Sequence, residues 1–193
     1  MIEYISQSIK NSISLKEQLL SSQGDMATLE AVGQAIATLF ERGGKLLICG
    51  NGGSASDAQH IAAEFVGRFV EARRALGAIA LTTDTSILTA VGNDFGFETI
   101  FARQVEALGT AGDIFIGIST SGNSANVIKA LECARAKGMT TVGLLGGGGG
   151  GCLALCDHSI VVGSKEAARV QEVHILIGHI LCGVAEKWIV KGE

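Results

Sequence analysis

The sequence predicts an α/β fold in which a parallel sheet lies between layers of helices. Short apolar runs recur along the chain, and amphipathic stretches of helical length separate them. Buried parallel strands are continuous apolar runs, and alternation of strand and helix is typical of a doubly wound sheet. The composition agrees, because 47% of the 193 residues are hydrophobic and can fill a core.

The predicted elements begin with a helical hairpin. Residues 1–42 predict two helices, the second closed by Arg42, Gly43 and Gly44, and such a hairpin suits oligomer packing. Three later stretches also predict helices: residues 54–69, 98–107 and 125–137. The predicted strands are KLLIC (45–49), AIAL (78–81), DIFIGIS (113–119), TTVGLL (140–145) and HSIVV (158–162).

The closing stretch, residues 164–191, is nearly apolar all round and predicts a buried helix. We expect it to be too short and too interrupted by polar residues to cross a membrane. The polar N-terminal segment does not resemble a signal peptide, so the sequence predicts a cytoplasmic protein. No linker or repeat divides the chain, which predicts one domain over residues 1–193.

Charge and cysteine content argue against several classes of protein. The net charge of −4 gives no basic field for a phosphate backbone, so we expect no nucleic-acid partner. The five cysteines are an odd number without CxxC spacing, which argues against a disulfide framework and against a four-cysteine zinc site.

Two loops rich in glycine and serine follow predicted strands and lead into helices. In the first, GNGGSASD (50–57), glycines let backbone amides approach an anion, although a plain tight turn is the alternative. The second, STSGNS (119–124), brings four hydroxyls to a helix N-terminus and is the better phosphate candidate, against an ordinary N-cap. Both loops lie at carboxyl ends of strands, where ligands bind in such sheets.

Polar residues on two predicted helices could form a reactive site. His60 and Glu64 share one helix face and could bind a metal, share a proton or form a surface contact. In the closing helix, His174 and His179 cannot share a face, and His174 could equally be a core histidine. Gln171 and His179 are two turns, about 12 Å, apart and could converge on one zinc ion.

A further polar pair, Asn93 and Asp94, lies in the segment VGNDFG. We expect a turn there. Buried in that turn, the pair could bind sugar hydroxyls, although turn formation alone explains these residue types equally well.

Four stretches together resemble the bacterial phosphoheptose isomerases of the sugar-isomerase (SIS) domain family. They are GNGGSASDAQHIAAEF, TAVGNDFGFE, GISTSGNSANVIKA and QEVHILIGHI. The resemblance implies a three-layer sandwich with a five-stranded parallel sheet, a single SIS domain, and a homotetramer with sites at subunit junctions. It also implies an aldose-ketose isomerase that converts sedoheptulose 7-phosphate to D-glycero-D-manno-heptose 7-phosphate through a cis-enediol, for lipopolysaccharide or another surface polysaccharide.

The resemblance also assigns roles to individual residues. Glu64 and His179 become the acid-base pair, because one carboxylate and one imidazole suffice to move protons between adjacent carbons and their oxygens. The phosphate is assigned to Ser119, Thr120, Ser121 and Ser124. The residues around the sugar are Asn51, Gly52, Gly53, Ser54, Glu64, Asn93, Asp94 and Gln171. In some similar members, one Zn²⁺ per subunit is held at the positions of His60, Glu64, Gln171 and His179.

Three alternative functions remain open at this point. A DnaA initiator-associating protein has the same fold and tetramer, but it lacks counterparts of Glu64 and His179. An arabinose 5-phosphate isomerase usually carries additional regulatory domains. A sugar-phosphate sensor would need the serine-rich loop but not the acid-base pair.

The run of six glycines at residues 146–151 departs from the family pattern, which has a more varied loop there. Glycine raises the conformational entropy lost on folding. We therefore expect a mobile loop, and no proposed catalytic residue lies in it.

Overall fold

The computed structural model describes residues 1–192, with the side chains of residues 1–190. Within this range, five strands form one parallel sheet in the order β2-β1-β3-β4-β5. They are β1 (Leu46–Gly50), β2 (Ala78–Ala80), β3 (Ile114–Ser119), β4 (Thr140–Leu145) and β5 (His158–Val161). Each predicted strand agrees to within one residue, so the predicted α/β class and five-stranded parallel sheet are confirmed.

Seven α-helices and two short 3₁₀ helices surround the sheet in the described part of the chain. The α-helices are α1 (Ile2–Ser21), α2 (Gln23–Glu41), α3 (Gly53–Val66), α4 (Thr85–Phe95), α5 (Ala102–Leu108), α6 (Ala125–Ala136) and α7 (Ala167–Gly192). The 3₁₀ helices span Phe97–Thr99 and Gly150–Leu155. The N-terminal hairpin has the predicted form, and the Ser22 hydroxyl caps α2 by accepting the N–H of Asp25 at 3.2 Å.

Two predicted helices have different bounds in the structure. The predicted helix at 54–69 ends at Val66, because the chain leaves the helical conformation at Gly67. The predicted helix at 98–107 is divided into the 3₁₀ helix Phe97–Thr99 and α5. The first difference lies at a helix end, which depends on the packing of the following loop more than on local pattern. The second is a break at Ile100 and Phe101, near the start of the predicted helix.

The turn predicted around Asn93 and Asp94 is wrong. These residues form the last turn of α4, which is stopped by Gly96 at a φ of 91°. Asp84 starts this helix, since its carboxylate accepts the N–H of Ile87 at 2.9 Å. Asn93 and Asp94 are also exposed and not buried, because they lie on the outer face of the helix.

The core has two parts, one on each face of the sheet. Successive residues of a strand point to opposite faces. Leu46 and Ile48 of β1 therefore pack with α1, α2, α3 and α7, whereas Leu47 and Cys49 pack with α5 and α6. Both faces of β1 are fully buried, which explains why its sequence is a continuous apolar run.

Helix α7 begins three residues after the start of the predicted stretch and ends one residue beyond it. Its segment Ala167–Val190 is long and apolar enough to cross a membrane by length and composition, so the expectation that it is too short is wrong. Its buried residues, however, pack against α1, α2 and α3. Gly33 lets α2 approach closely, because a Cβ there would overlap the side chain of Val184. These contacts are those of the core helix that the sequence predicted.

His174 lies on the buried face of α7 and is 0% exposed. Burial lowers its pKa from 6.5 to about 4, because the charged imidazolium loses its hydration. The side chain is therefore neutral in the folded protein near neutral pH. Of the two readings that the sequence left open for His174, the structure supports the core histidine.

We predict that the free energy of unfolding decreases as the pH falls from about 6.5 toward 4. In this window the unfolded chain protonates His174, whereas the folded chain, with a pKa of about 4, does not. This one group contributes a loss of about 2 kcal/mol between pH 7 and pH 5. Urea unfolding at fixed protein concentration measures the loss. His174→Gln is expected to flatten the pH slope and the control His158→Gln to keep it. An unchanged slope in His174→Gln would contradict the prediction.

Candidate active site

The loops that follow β1 and β3 meet where the strand order reverses. The two strands are neighbours, with Gly50 opposite Ile118 at their carboxyl ends. Asn51 and Asn126 tie the loops together through two reciprocal amide hydrogen bonds of 2.8 and 2.9 Å. Sequence reasoning missed Asn126, although an amide on the buried face of α6 was a signal that it has a polar partner.

The serine loop, residues 119–124, gathers hydroxyls at the N-terminus of α6. Ser119 Oγ lies 3.0 Å from Ser124 Oγ and 3.5 Å from Ser121 Oγ. Among the described residues, the Ser124 side chain forms no hydrogen bond that caps α6, although Ser124 occupies the N-cap position. This arrangement argues against a simple N-cap and leaves the N-terminal N–H groups of α6 for an anion.

The glycine run, residues 146–151, lies directly against the serine loop. Gly146 donates its N–H to the carbonyl oxygen of Ser119 at 3.0 Å, and a Cβ at Gly146 would overlap the carbonyl oxygen of Thr120. A Cβ at Gly147 would lie 2.8 Å from the carbonyl oxygen of Ser121. The run is therefore a packed support of the serine loop and not the free loop that its composition suggested.

Three side chains from α3 and α7 form a compact cluster. His60 Nε2 lies 3.3 Å from Glu64 Oε1 and 2.8 Å from His179 Nε2. One ligand atom from each residue can be chosen so that all three lie within 4.8 Å of one another. The one-turn spacing of His60 and Glu64 places them together as predicted, and α7 adds His179 to the same site. Two imidazoles and one carboxylate are a ligand set that suits zinc.

Close contact between α3 and α7 places the fourth predicted ligand, Gln171, near the start of α3. A Cβ at Gly53 would overlap the Gln171 side-chain amide, and a Cβ at Gly178 would meet the Ile61 side chain. Gln171 Nε2 donates to Asp57 Oδ1 at 3.4 Å, and Asp57 is buried. Burial raises the pKa of the Asp57 carboxyl, and the hydrogen bond from Gln171 opposes that shift. Sequence reasoning missed Asp57.

Two rings flank the imidazole of His179. The Phe69 ring stacks on it with centroids 5.7 Å apart and an interplanar angle of 26°. The His60 ring meets it edge-on at 5.0 Å and 67°. Phe69 was also missed, because it follows the end of α3 and nothing in its local sequence indicates a partner on α7.

The remaining predicted residues occupy different positions. Ser54 is only 5% exposed and packs against Gly50, whereas Gly52 is exposed and occupies the N-cap position before α3 with a φ of 55°. Asn93 Nδ2 donates to Asp94 Oδ1 at 2.8 Å on the exposed end of α4. The structure therefore brings the two loops together at one edge of the sheet, and it brings His60, Glu64 and His179 together between α3 and α7. It leaves the Asn93–Asp94 pair at the surface.

A family model described as SIS domain matches residues 9–146. The chain belongs to the SIS domain family. Curated relatives of this SIS chain include the phosphoheptose isomerase of Aneurinibacillus thermoaerophilus, which is 52% identical over 193 residues, 100% of this chain and 98% of that protein. The phosphoheptose isomerase of Roseiflexus sp. (strain RS-1) is 55% identical over 179 residues, 93% of this chain and 90% of that protein.

Solved structures of SIS proteins agree with these relatives. Phosphoheptose isomerase GmhA from Neisseria gonorrhoeae superposes with a TM-score of 0.89 at 43% identity, and a phosphoheptose isomerase from Francisella tularensis with 0.91 at 39%. Each comparison covers 96% of this chain and 98% of the other. The resemblance that the four sequence stretches indicated is confirmed, and the initiator-associating alternative is not favoured.

Proposed function

We propose that this chain is a phosphoheptose isomerase that interconverts sedoheptulose 7-phosphate and D-glycero-D-manno-heptose 7-phosphate. The observation that carries the proposal is the cluster of Glu64, His60 and His179, in a chain about half identical to phosphoheptose isomerases over its full length. A carboxylate and an imidazole side by side are the groups that an aldose-ketose isomerisation requires.

The layout of the site suits a long phosphosugar. The serine loop is the proposed phosphate site, where Ser119, Thr120, Ser121 and Ser124 supply hydroxyls and the N-terminus of α6 supplies backbone N–H groups. Helix α3 starts at the neighbouring loop and carries His60 seven residues, about 10 Å, farther along. In a heptose 7-phosphate the reacting carbons C1 and C2 lie at the opposite end from the phosphate. This matches a site in which the acid-base residues are separated from the phosphate loop along α3.

The sugar itself is proposed to contact residues between these two ends. Asn51 and Gly52 precede α3, Gly53 and Ser54 are its first residues, and Gln171 lies beside Gly53. Asn93 and Asp94 are included on the basis of the family pattern, and their exposure leaves their amide and carboxylate accessible to a ligand.

Glu64 is the proposed base. Its carboxylate removes a proton from C1 of the ketose, the C–H electrons form the C1–C2 double bond, and His179 gives a proton to the C2 carbonyl oxygen. The product of this step is a cis-enediol. His179 then takes the proton from the C1 oxygen, and Glu64, after exchange of its proton with solvent, gives a proton to C2, which yields the aldose. The ring of His60 lies within hydrogen-bond distance of the His179 ring and thereby orients the His179 imidazole for these proton transfers.

His60, Glu64 and His179 are also proposed to hold one Zn²⁺, with Gln171 as a fourth ligand. The donor set fits, since the three clustered residues offer N and O atoms and Gln171 donates through Nε2 to Asp57, leaving Oε1 for the metal. When bound, zinc supplies a Lewis acid that polarises a substrate oxygen. Glu64 cannot ligate a metal and act as a base with the same lone pair.

The partners are proposed to be further copies of the chain, in a cytoplasmic homotetramer with sites at subunit junctions. Helix α1 carries a row of exposed apolar side chains at helical spacing: Ile2, Ile5, Ile9 and Ile13. An apolar row of this kind on a soluble domain needs a covering surface. Sedimentation at four times the chain mass supports the tetramer, and a monomer mass would refute it.

We predict that Glu64→Gln and His179→Gln each lower the turnover of sedoheptulose 7-phosphate at least about 100-fold, because each removes one of the two groups that transfer protons. Coupled detection of the aldose product measures the rate. The matched controls are Glu132→Gln, an exposed helical glutamate, and His158→Gln, both expected to keep the parent rate. No turnover by folded parent protein would refute the proposed function.

The zinc proposal is tested on the same proteins by metal content. After chelation and dialysis against Zn²⁺, the parent is expected to retain one equivalent per chain, and His60→Ala and His179→Gln to retain less. Equal zinc in the parent and His60→Ala would contradict the proposed ligands. Rates before and after chelation then show whether bound zinc promotes turnover or marks a resting state.

We also predict that Gly147→Ala weakens binding of inorganic phosphate about tenfold, whereas Gly148→Ala changes it less than about twofold. Both glycines have positive φ, 58° and 78°, so both variants bear similar backbone strain. Only the new Cβ at position 147 meets the serine loop, at the carbonyl oxygen of Ser121, since position 148 has open space. Titration calorimetry measures both affinities, and equal losses would contradict the supporting role of the glycine run.

A further inference from the structure

A buried ion pair joins the loop that follows α3 to helix α7. Arg73 Nε donates to Glu186 Oε1 at 3.1 Å, and the two side chains are 1% and 3% exposed. Burying two charges is costly, and such a pair adds little net stability compared with well-packed apolar residues. Stability alone therefore does not explain it, and the groups that the pair holds are informative.

Glu186 fixes the loop at three consecutive backbone positions. Its carboxylate accepts the N–H groups of Phe69, Val70 and Glu71 at 3.1, 2.8 and 2.9 Å. Burial raises the pKa of Glu186, but the three N–H groups and the charge of Arg73 lower it by a larger amount. The net pKa therefore lies below the ordinary value of a glutamate. The carboxylate is therefore ionised at neutral pH and acts as a permanent acceptor for this loop.

Arg73 fixes the end of α3. Its Nη2 donates to the carbonyl oxygen of Glu64 and its Nη1 to that of Phe65, both at 2.9 Å. The last carbonyl groups of a helix have no partner within the helix, so the guanidinium satisfies two of them. The backbone that carries the proposed base is thereby attached to Glu186 through a single side chain.

Phe69 connects the loop to the proposed acid. Its ring stacks on His179, and a Cβ at Gly183 of α7 would lie 3.3 Å from the same ring. The ring thus packs between His179 and Gly183 of α7. The hydrogen bond from the backbone N–H of Phe69 to Glu186 fixes the residue there.

We propose that Arg73 and Glu186 are positioning residues for the isomerisation, which hold Phe69 against His179 and the end of α3 that bears Glu64. The proposal rests on the roles proposed above for Glu64 and His179. Neither Arg73 nor Glu186 belongs to the His60, Glu64 and His179 cluster, so they act through those residues. Because proton transfer depends on alignment to a fraction of an ångström, loss of positioning lowers kcat more than it raises KM.

The test is a double-mutant cycle of Glu186→Gln and Phe69→Leu, with Glu71→Gln as the control that removes the same charge from an exposed side chain in the same loop. Each single variant is expected to lower kcat about tenfold with KM within about twofold. Because Glu186→Gln displaces the ring that Phe69→Leu removes, the double variant is expected to lose less kcat than the product of the two single losses. Glu71→Gln is expected to keep the parent kcat.

A second readout does not depend on turnover. The chain has four histidines, so a spectrum of ¹³C-histidine protein holds few signals, and the His179 signal carries the ring-current shift of the stacked Phe69. Glu186→Gln and Phe69→Leu are both expected to remove that shift, and Glu71→Gln to keep it. If the parent is inactive, this shift still tests the positioning while the proposed function fails.

Several results would overturn the proposal. A Phe69→Leu variant with parent kcat, or a double variant whose loss is the product of the single losses, shows that Glu186 does not act through Phe69. A His179 shift that persists in Glu186→Gln shows that the ion pair only stabilises the fold. If Glu186→Gln does not fold, Phe69→Leu, which keeps the ion pair, still tests the proposal, because a parent kcat in this variant would overturn it.

Discussion

The close contact of α7 with α3 is the constraint on which the rest of the site depends. His60 and His179 are 119 residues apart in the chain, and only this contact brings their rings to 2.8 Å. Gly53 and Gly178 make it possible, since a Cβ at either position would collide with the other helix. The same contact places Gln171 of α7 within hydrogen-bond distance of Asp57, a buried residue of α3. A larger residue at either glycine therefore affects helix packing and chemistry together.

The sheet fixes the other end of the site. Because β1 and β3 are neighbours, their loops meet at one crevice, and Asn51 and Asn126 lock them together. The glycine run packs against the backbone of the serine loop, which explains why Gly146 and Gly147 have no room for a side chain. Helix α3 starts at this crevice and carries Glu64 toward α7. Phosphate recognition and proton transfer are thus separated along one rigid helix, as suits a substrate that is phosphorylated far from its reacting carbons.

The sequence predicted the elements that depend on local pattern. The strands are short and mostly apolar runs, so all five were located to within one residue. The one-turn spacing of His60 and Glu64 placed both on one face. Helix α4 was missed because Asn, Asp and Gly at its end are typical of a turn, while its start depends on the cap at Asp84. The partnership with His179 came from family resemblance, and Phe69 could not be found, since its position depends on tertiary contacts across more than 100 residues.

Isomerisation of sedoheptulose 7-phosphate in D₂O, with the aldose examined for deuterium at C2, tests whether Glu64 is the base. If Glu64 takes the proton from C1 and returns one to C2, the base exchanges with solvent and deuterium enters at C2. We expect that incorporation in the parent protein, and neither exchange nor product in Glu64→Gln. Aldose that forms at the normal rate with hydrogen alone at C2, or deuterium that enters equally in Glu64→Gln, would contradict it.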